Sequence, residues 1–146
     1  MRLARVLLIA GLSLLTAACA PGQAETVAAP LDANALIEAL TAPGAEVDDG
    51  GAVEQAFFSV DGRIVRVDGE DVQVFEYPDT AARQAESELI QPDGSPNPTT
   101  MVSWIDQPNF WARGRLIVLY VGRQATTIER LSSALGQPLT EPWPGG

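Results

Sequence analysis

One cysteine, Cys19, supplies the only thiol in the 146 residues, and its neighbours point to lipid attachment rather than redox or metal chemistry. Arg2 and Arg5 form a short basic region, Val6 to Leu15 is apolar, and the small residues Thr16, Ala17 and Ala18 lead straight to Cys19. A run of ten apolar residues falls short of the roughly 20 needed to span a hydrocarbon core, but it suits the apolar region of a secretory signal. Small residues directly before a lone cysteine are what lipoprotein processing requires. The thiol takes a diacylglyceryl group, and cleavage leaves Cys19 as the first mature residue. Thr16 stands where an aliphatic residue is commoner, with Leu15 one place earlier.

The other reactive side chains are defined by what is missing. The chain has no histidine and no lysine. The usual general base near neutral pH, the usual partner of a catalytic serine and the commonest metal ligand are therefore absent. Schiff-base and Ser–Lys chemistry is absent too. Once Cys19 is lipidated, no thiol is left for a disulfide, a nucleophile or a metal. This inventory points away from catalysis and implies no cofactor.

Three groupings remain. The acidic residues Asp48, Asp49, Asp61, Asp68, Glu70 and Asp71 lie mostly beside glycines, where hard cations find oxygen ligands. No segment matches the twelve-residue calcium loop, however, and Asp-Gly pairs also serve hairpin turns for backbone reasons. Trp104, Phe110, Trp111 and Tyr120 stand near Arg113 and Arg115; exposed they would make a binding platform, buried they are core. Glu54, Asp106 and Glu129 are the carboxylates that acid–base cleavage of a glycoside would need, but their spacing shows no pairing. Ser59 and Ser103 lack a base.

Charge narrows the partners. Cleavage before Cys19 removes two arginines and leaves 7 Arg against 19 Asp and Glu, a side-chain charge of −12. Residues 19–93 carry 16 acidic side chains and 3 Arg, whereas residues 94–146 carry 3 and 4. Such a balance argues against nucleic acid, where cations neutralise phosphates, and gives little attraction to anionic headgroups. Membrane attachment would rest on the lipid of Cys19, whose two or three acyl chains make it durable.

These residues must be positioned by a modest domain. Residues 1–18 read as the signal peptide, 19–30 as a flexible tether, 31–138 as a single domain and 139–146 as an irregular tail in which Trp143 could dock back. The eleven tether residues 20–30 reach at most about 35 Å. Asp32 is placed to cap a first helix, with Leu31 and Leu36 as a hydrophobic staple and Pro43-Gly44 as its end. Val53 to Val60, Arg63 to Val67 and Val72 to Tyr77 read as three strands separated by Asp-Gly pairs. A four-residue loop at 68–71 would set Val67 against Val72, Val65 against Val74 and Arg63 against Glu76. Asp79 caps a second helix over Thr80 to Ile90 with Ala82, Ala85 and Leu89 inward, and the proline-rich stretch 91–98 follows as a loop. Strand character returns at Thr99 to Ile105 and Phe110 to Ala112, and it peaks in Leu116 to Val121, continuous enough to be buried on both faces. A third helix over Gln124 to Leu135 turns Ala125, Ile128, Leu131 and Leu135 inward and ends at Gly136.

Residues 57–65 echo residues 110–118, which points to two divergent halves of αββ(β)α type. The expected fold class is α+β, with element order αβββαβββα: an antiparallel sheet packed by about three helices. The strings FFSVDGRIVRVDGEDVQVFEYPD (57–79), TTMVSW (99–104) and GRLIVLYVG (114–122) resemble a group of small uncharacterised bacterial lipoproteins. That resemblance implies a shared envelope-anchored domain and carries over no activity or ligand. The expectation is a non-enzymatic domain, lipid-anchored at the cell membrane or outer membrane and facing outside the cytoplasm, that binds a protein or ligand. The alternative is an ion- or solute-binding accessory lipoprotein of a transporter or sensor.

Overall fold

Two aspartates decide where two of the three helices begin. In the computed structural model, which describes residues 32–144, Asp32 accepts from the Ala35 amide at 2.9 Å and opens α1 (Ala33–Thr41). Asp79 accepts from the Ala82 amide at 2.8 Å and opens α2 (Thr80–Ser87). Each bond satisfies an amide that the helix cannot, at a gain of about 1 kcal/mol. The third helix, α3 (Ala125–Leu135), has no side-chain cap and ends at Gly136. Cys19, the signal segment, the tether and Leu31 of the expected staple lie outside the described residues.

Between the helices run β1 (Val47–Val53), β2 (Gly62–Val67), β3 (Glu70–Glu76), β4 (Pro108–Arg113) and β5 (Leu116–Val121). They form one antiparallel sheet in the order β1-β2-β3-β5-β4. The chain is thus an α+β protein with an open sheet and helices packed on it. Val65, Val67, Val72, Val74, Trp111, Leu116, Val118 and Tyr120 turn to one face and pack with Leu36 and Leu40 of α1 and Leu131 and Leu135 of α3. Phe75, Tyr77, Phe110, Ile117 and Leu119 turn to the other. With both faces covered, β5 is buried almost throughout, as its unbroken apolar run predicts.

Several expectations are corrected, each for a physical reason. Residues 54–61 are not a strand. The short α2 cannot cover the second face alone, so Phe57 and Phe58 fold over it, with Phe58 4.7 Å from the Phe75 ring and Phe57 6.1 Å from Trp104. The first strand is instead Val47–Val53, a sequence of poor strand propensity at the sheet edge. Its register shifts between Asp49 and Gly51, where Gly51 has φ +95° and a Cβ on Gly50 would overlap the Ile64 side chain.

The β2–β3 connection is a two-residue turn, not a four-residue loop. Asp68 and Gly69 have φ of +50° and +87°, the signature of the type I′ turn that matches strand twist. Val65 therefore opposes Val72, Val67 opposes Glu70 and Arg63 opposes Val74. A shift of two residues keeps the four valines on one face, so the apolar pattern could not discriminate the two registers. The hairpin's ion pair is Arg66–Asp71 at 3.0 Å, in place of the expected Arg63–Glu76.

Residues 99–105 are irregular as well, so the order is αβββαββα. The outer edge of β4, where another strand would add, is occupied by the tail: the Leu139 amide donates to Phe110 O at 2.7 Å, and the Phe110 amide donates to Thr140 Oγ1 at 3.2 Å. Helix α2 stops at Ser87 and turns Ser87 inward, leaving Ala85 and Leu89 exposed; Ala125 of α3 is exposed too, with Thr127 buried instead. The echo between residues 57–65 and 110–118 does not extend to structure, because Phe57 and Phe58 lie in a turn while Phe110 and Trp111 lie in β4.

Candidate binding site at one end of the sheet

The groups singled out in the sequence are dispersed by the fold. Trp111 and Tyr120 are buried on the face of α1 and α3, and Phe110 is buried on the opposite face beside the half-buried Trp104. Trp111, Tyr120 and Phe110 are core and Trp104 packs half-buried against Phe110, so the four form no platform. Arg115 is committed to Glu76 at 2.6 Å, and Arg113 is exposed at the far side of the same β4–β5 turn. Of the acidic set, Asp71 pairs with Arg66, and Glu70 accepts from the Tyr120 hydroxyl at 2.7 Å. Asp68 accepts from the Glu46 amide and lies 2.7 Å from Arg130 Nε, an ion pair out of line for a hydrogen bond. Among the described residues no three His, Cys, Asp or Glu side chains group to hold a metal ion. Glu54 follows β1, Glu129 is exposed on α3, and Asp106 forms an ion pair with Arg123, Nε lying 2.7 Å from its carboxylate, so these carboxylates are not brought together.

Both buried phenols are held neutral. Burial first, and the bond to Glu70 second, push the Tyr120 hydroxyl up to about 12. Burial also raises Tyr77, with its bond to Glu86 adding to the effect. Neither phenol can act as a base near neutral pH, which leaves them as structural donors.

The two ends of the sheet differ. At one end the described chain begins: the Ala33 amide donates to Glu76 Oε2 at 3.3 Å, and Arg115 lies 4.0 Å from Asp32 beside the β4–β5 turn. The opposite end, about 20 Å away along the six residues of β5, is where β4 starts and β5 stops. There the Gly122 amide donates to Gln107 O, the Trp143 amide donates to Gln107 Oε1 at 3.4 Å, and Arg123 stands 6.0 Å over the Trp143 ring.

A groove of about 390 Å³ opens at this second end, lined by Gln91, Pro92, Asp93, Glu141, Pro142, Trp143 and Pro144. Its two walls are tied together, because the Glu141 amide donates to Pro92 O at 2.8 Å. The loop wall is braced in turn. Gln91 donates to Ser95 O, Gly94 donates to Gln91 O, and Trp104 Nε1 donates to Gly94 O at 3.0 Å. Asp93 accepts from the Ser95 amide at 2.9 Å, and this bond holds its carboxyl below the usual range. Ile105, next in sequence to Asp106, is almost fully exposed.

Sequence reasoning did not select these groove residues. The signal was present only as Trp143 set among prolines in the tail, and what makes it a wall is a pairing between segments about 50 residues apart. No family model, curated protein or solved structure matches this chain. No helix among the described residues is long and apolar enough to cross a membrane.

Proposed function

We propose that this protein is a lipid-anchored, non-catalytic binding domain of the cell envelope, held by Cys19 and offering the Trp143 groove to a partner. The observation that carries the reading is the opposition of the two ends. The tether leads into Asp32 at the end marked by Glu76 and Arg115, and the groove opens at the other, beside Gln107 and Arg123. A domain held by its N-terminus would thus carry the groove at the end remote from its point of attachment. The absence of histidine and lysine, together with the dispersal of Glu54, Asp106 and Glu129, supports binding rather than turnover.

Mass spectrometry of the chain from membranes of a lipoprotein-processing bacterium tests the anchor. The expected product begins at an acylated Cys19, and Cys19→Ala yields no acylated product cleaved at this position. An unmodified cysteine in a membrane-released protein would overturn the anchor.

A further inference from the structure

We infer that the Trp143 groove recognises an extended, basic peptide segment, with a guanidinium or ammonium group of the partner set between the indole and the carboxylates of Asp93 and Glu141. The groove offers one aromatic ring, three prolines and one amide, and its only charged lining groups are these two carboxylates. The nearest cation, Arg123, lies outside the lining and is already neutralised by Asp106. Both charged lining groups are carboxylates, and a positively charged partner is the complementary one.

The indole already receives one guanidinium, that of Arg123 at 6.0 Å, so the surroundings of this ring suit cation–π contact. A small quaternary cation would need several rings to enclose it, and Trp143 stands alone. An oligosaccharide would look for neutral amides beside the ring, and only Gln91 is present. An extended chain fits an open groove walled by prolines, where rigid walls lose little entropy on binding. The hydrogen bonds from Glu141 to Pro92 and from Trp104 to Gly94 hold those walls in place before any ligand arrives. The groove's place remote from the membrane attachment rests on the lipid anchor proposed above; its chemistry does not.

The test uses the full chain in detergent at low salt and three fluorescent probes: a proline-spaced arginine peptide, the same peptide with citrulline for arginine, and a neutral oligosaccharide. The arginine peptide should bind saturably and the citrulline peptide roughly tenfold more weakly, since loss of charge removes both the pairing and the ring contact. Trp143→Ala should weaken binding about 30-fold, as an aromatic hot spot does. Asp93→Asn combined with Glu141→Gln should weaken it about fivefold and flatten its salt dependence, as expected of exposed charge pairs. The paired variant preserves the loop turn, so it reports on charge even if Trp143→Ala disturbs the tail. Equal binding of the arginine and citrulline peptides, unchanged binding by both variants, or no saturable binding would each overturn the inference. Preference for the oligosaccharide would overturn it and assign the groove to sugars. Peptide binding by a chain with an unmodified Cys19 would keep the groove chemistry and remove the anchor.

Discussion

Tyr77 donates its hydroxyl proton to Glu86 Oε2 across 2.6 Å, and the same carboxylate accepts the Ser59 amide at 3.2 Å. One side chain on α2 thereby fastens the end of the third strand and the aromatic turn 57–60 to the second face of the sheet. Glu86 explains why α2 presents this edge inward and leaves Ala85 exposed. Tyr77→Phe keeps the ring in the core and removes one partner of the carboxylate, at an expected cost of about 1–2 kcal/mol. Glu86→Ala strands both donors and should cost more. Urea midpoints check the order; if neither variant moves its midpoint, the carboxylate is not the fastening.

Stability should respond to alkali in a particular window. The phenols of Tyr77 and Tyr120 release protons less readily in the folded chain than at the ordinary value of 10.0. Their stabilising contribution is therefore complete below about pH 10 and is lost as pH rises through the folded values, about 12 for Tyr120. With no histidine, side chains give little reason for stability to change between about pH 5 and 9. Melting temperatures from about pH 5 to about pH 12, with tyrosinate absorbance followed in parallel, should show a plateau up to about pH 10 and then a fall. Tyr120→Phe should shrink the fall, and a fall of equal size in that variant would contradict the assignment.

The turn between β2 and β3 gives a ranking. Gly69→Ala forces a side chain into φ +87° and should cost about 1–2 kcal/mol. Asp68→Asn suits the same backbone and retains an oxygen for the Glu46 amide, so it loses only the Arg130 pair and should cost below about 1 kcal/mol. Asp68→Ala loses both and should be the worse of the two. Denaturant titration of the three variants decides, and parity of Asp68→Asn with Asp68→Ala would mean the amide bond is unimportant.

Shortening the chain after Pro138 should destabilise it and invite association. The tail supplies the Leu139 and Thr140 bonds to Phe110, and without them β4 becomes an open, apolar edge. A lower melting temperature together with concentration-dependent sedimentation is expected. A monomer of unchanged stability would show that the tail merely lies against the strand.

Residue types alone were enough for much of this fold. Asp32 and Asp79 are caps wherever a helix follows them, because the carboxylate reaches the amide three residues on regardless of tertiary context. Leu116 to Val121 reads as a doubly buried strand because no polar residue interrupts it. Alternation placed Val65, Val67, Val72 and Val74 on one face, and with them came an antiparallel α+β sheet under three helices. The absence of histidine and lysine limits the chemistry whatever shape the chain takes, because no fold can supply an imidazole or an ammonium side chain that the sequence lacks.

Tertiary structure decided what depends on competition between distant segments. Phe57, Phe58 and Val60 satisfy strand propensity and also the need to cover a sheet face, and with α2 short they cover the face. Two hairpin registers differing by two residues bury the same valines, and the positive φ of Asp68 and Gly69 settled between them. Residues 99–105 lost their place in the sheet because the tail holds the edge of β4. The groove arises the same way: Pro92 and Glu141 become its walls through one backbone bond across about 50 residues, and no local pattern encodes such a contact.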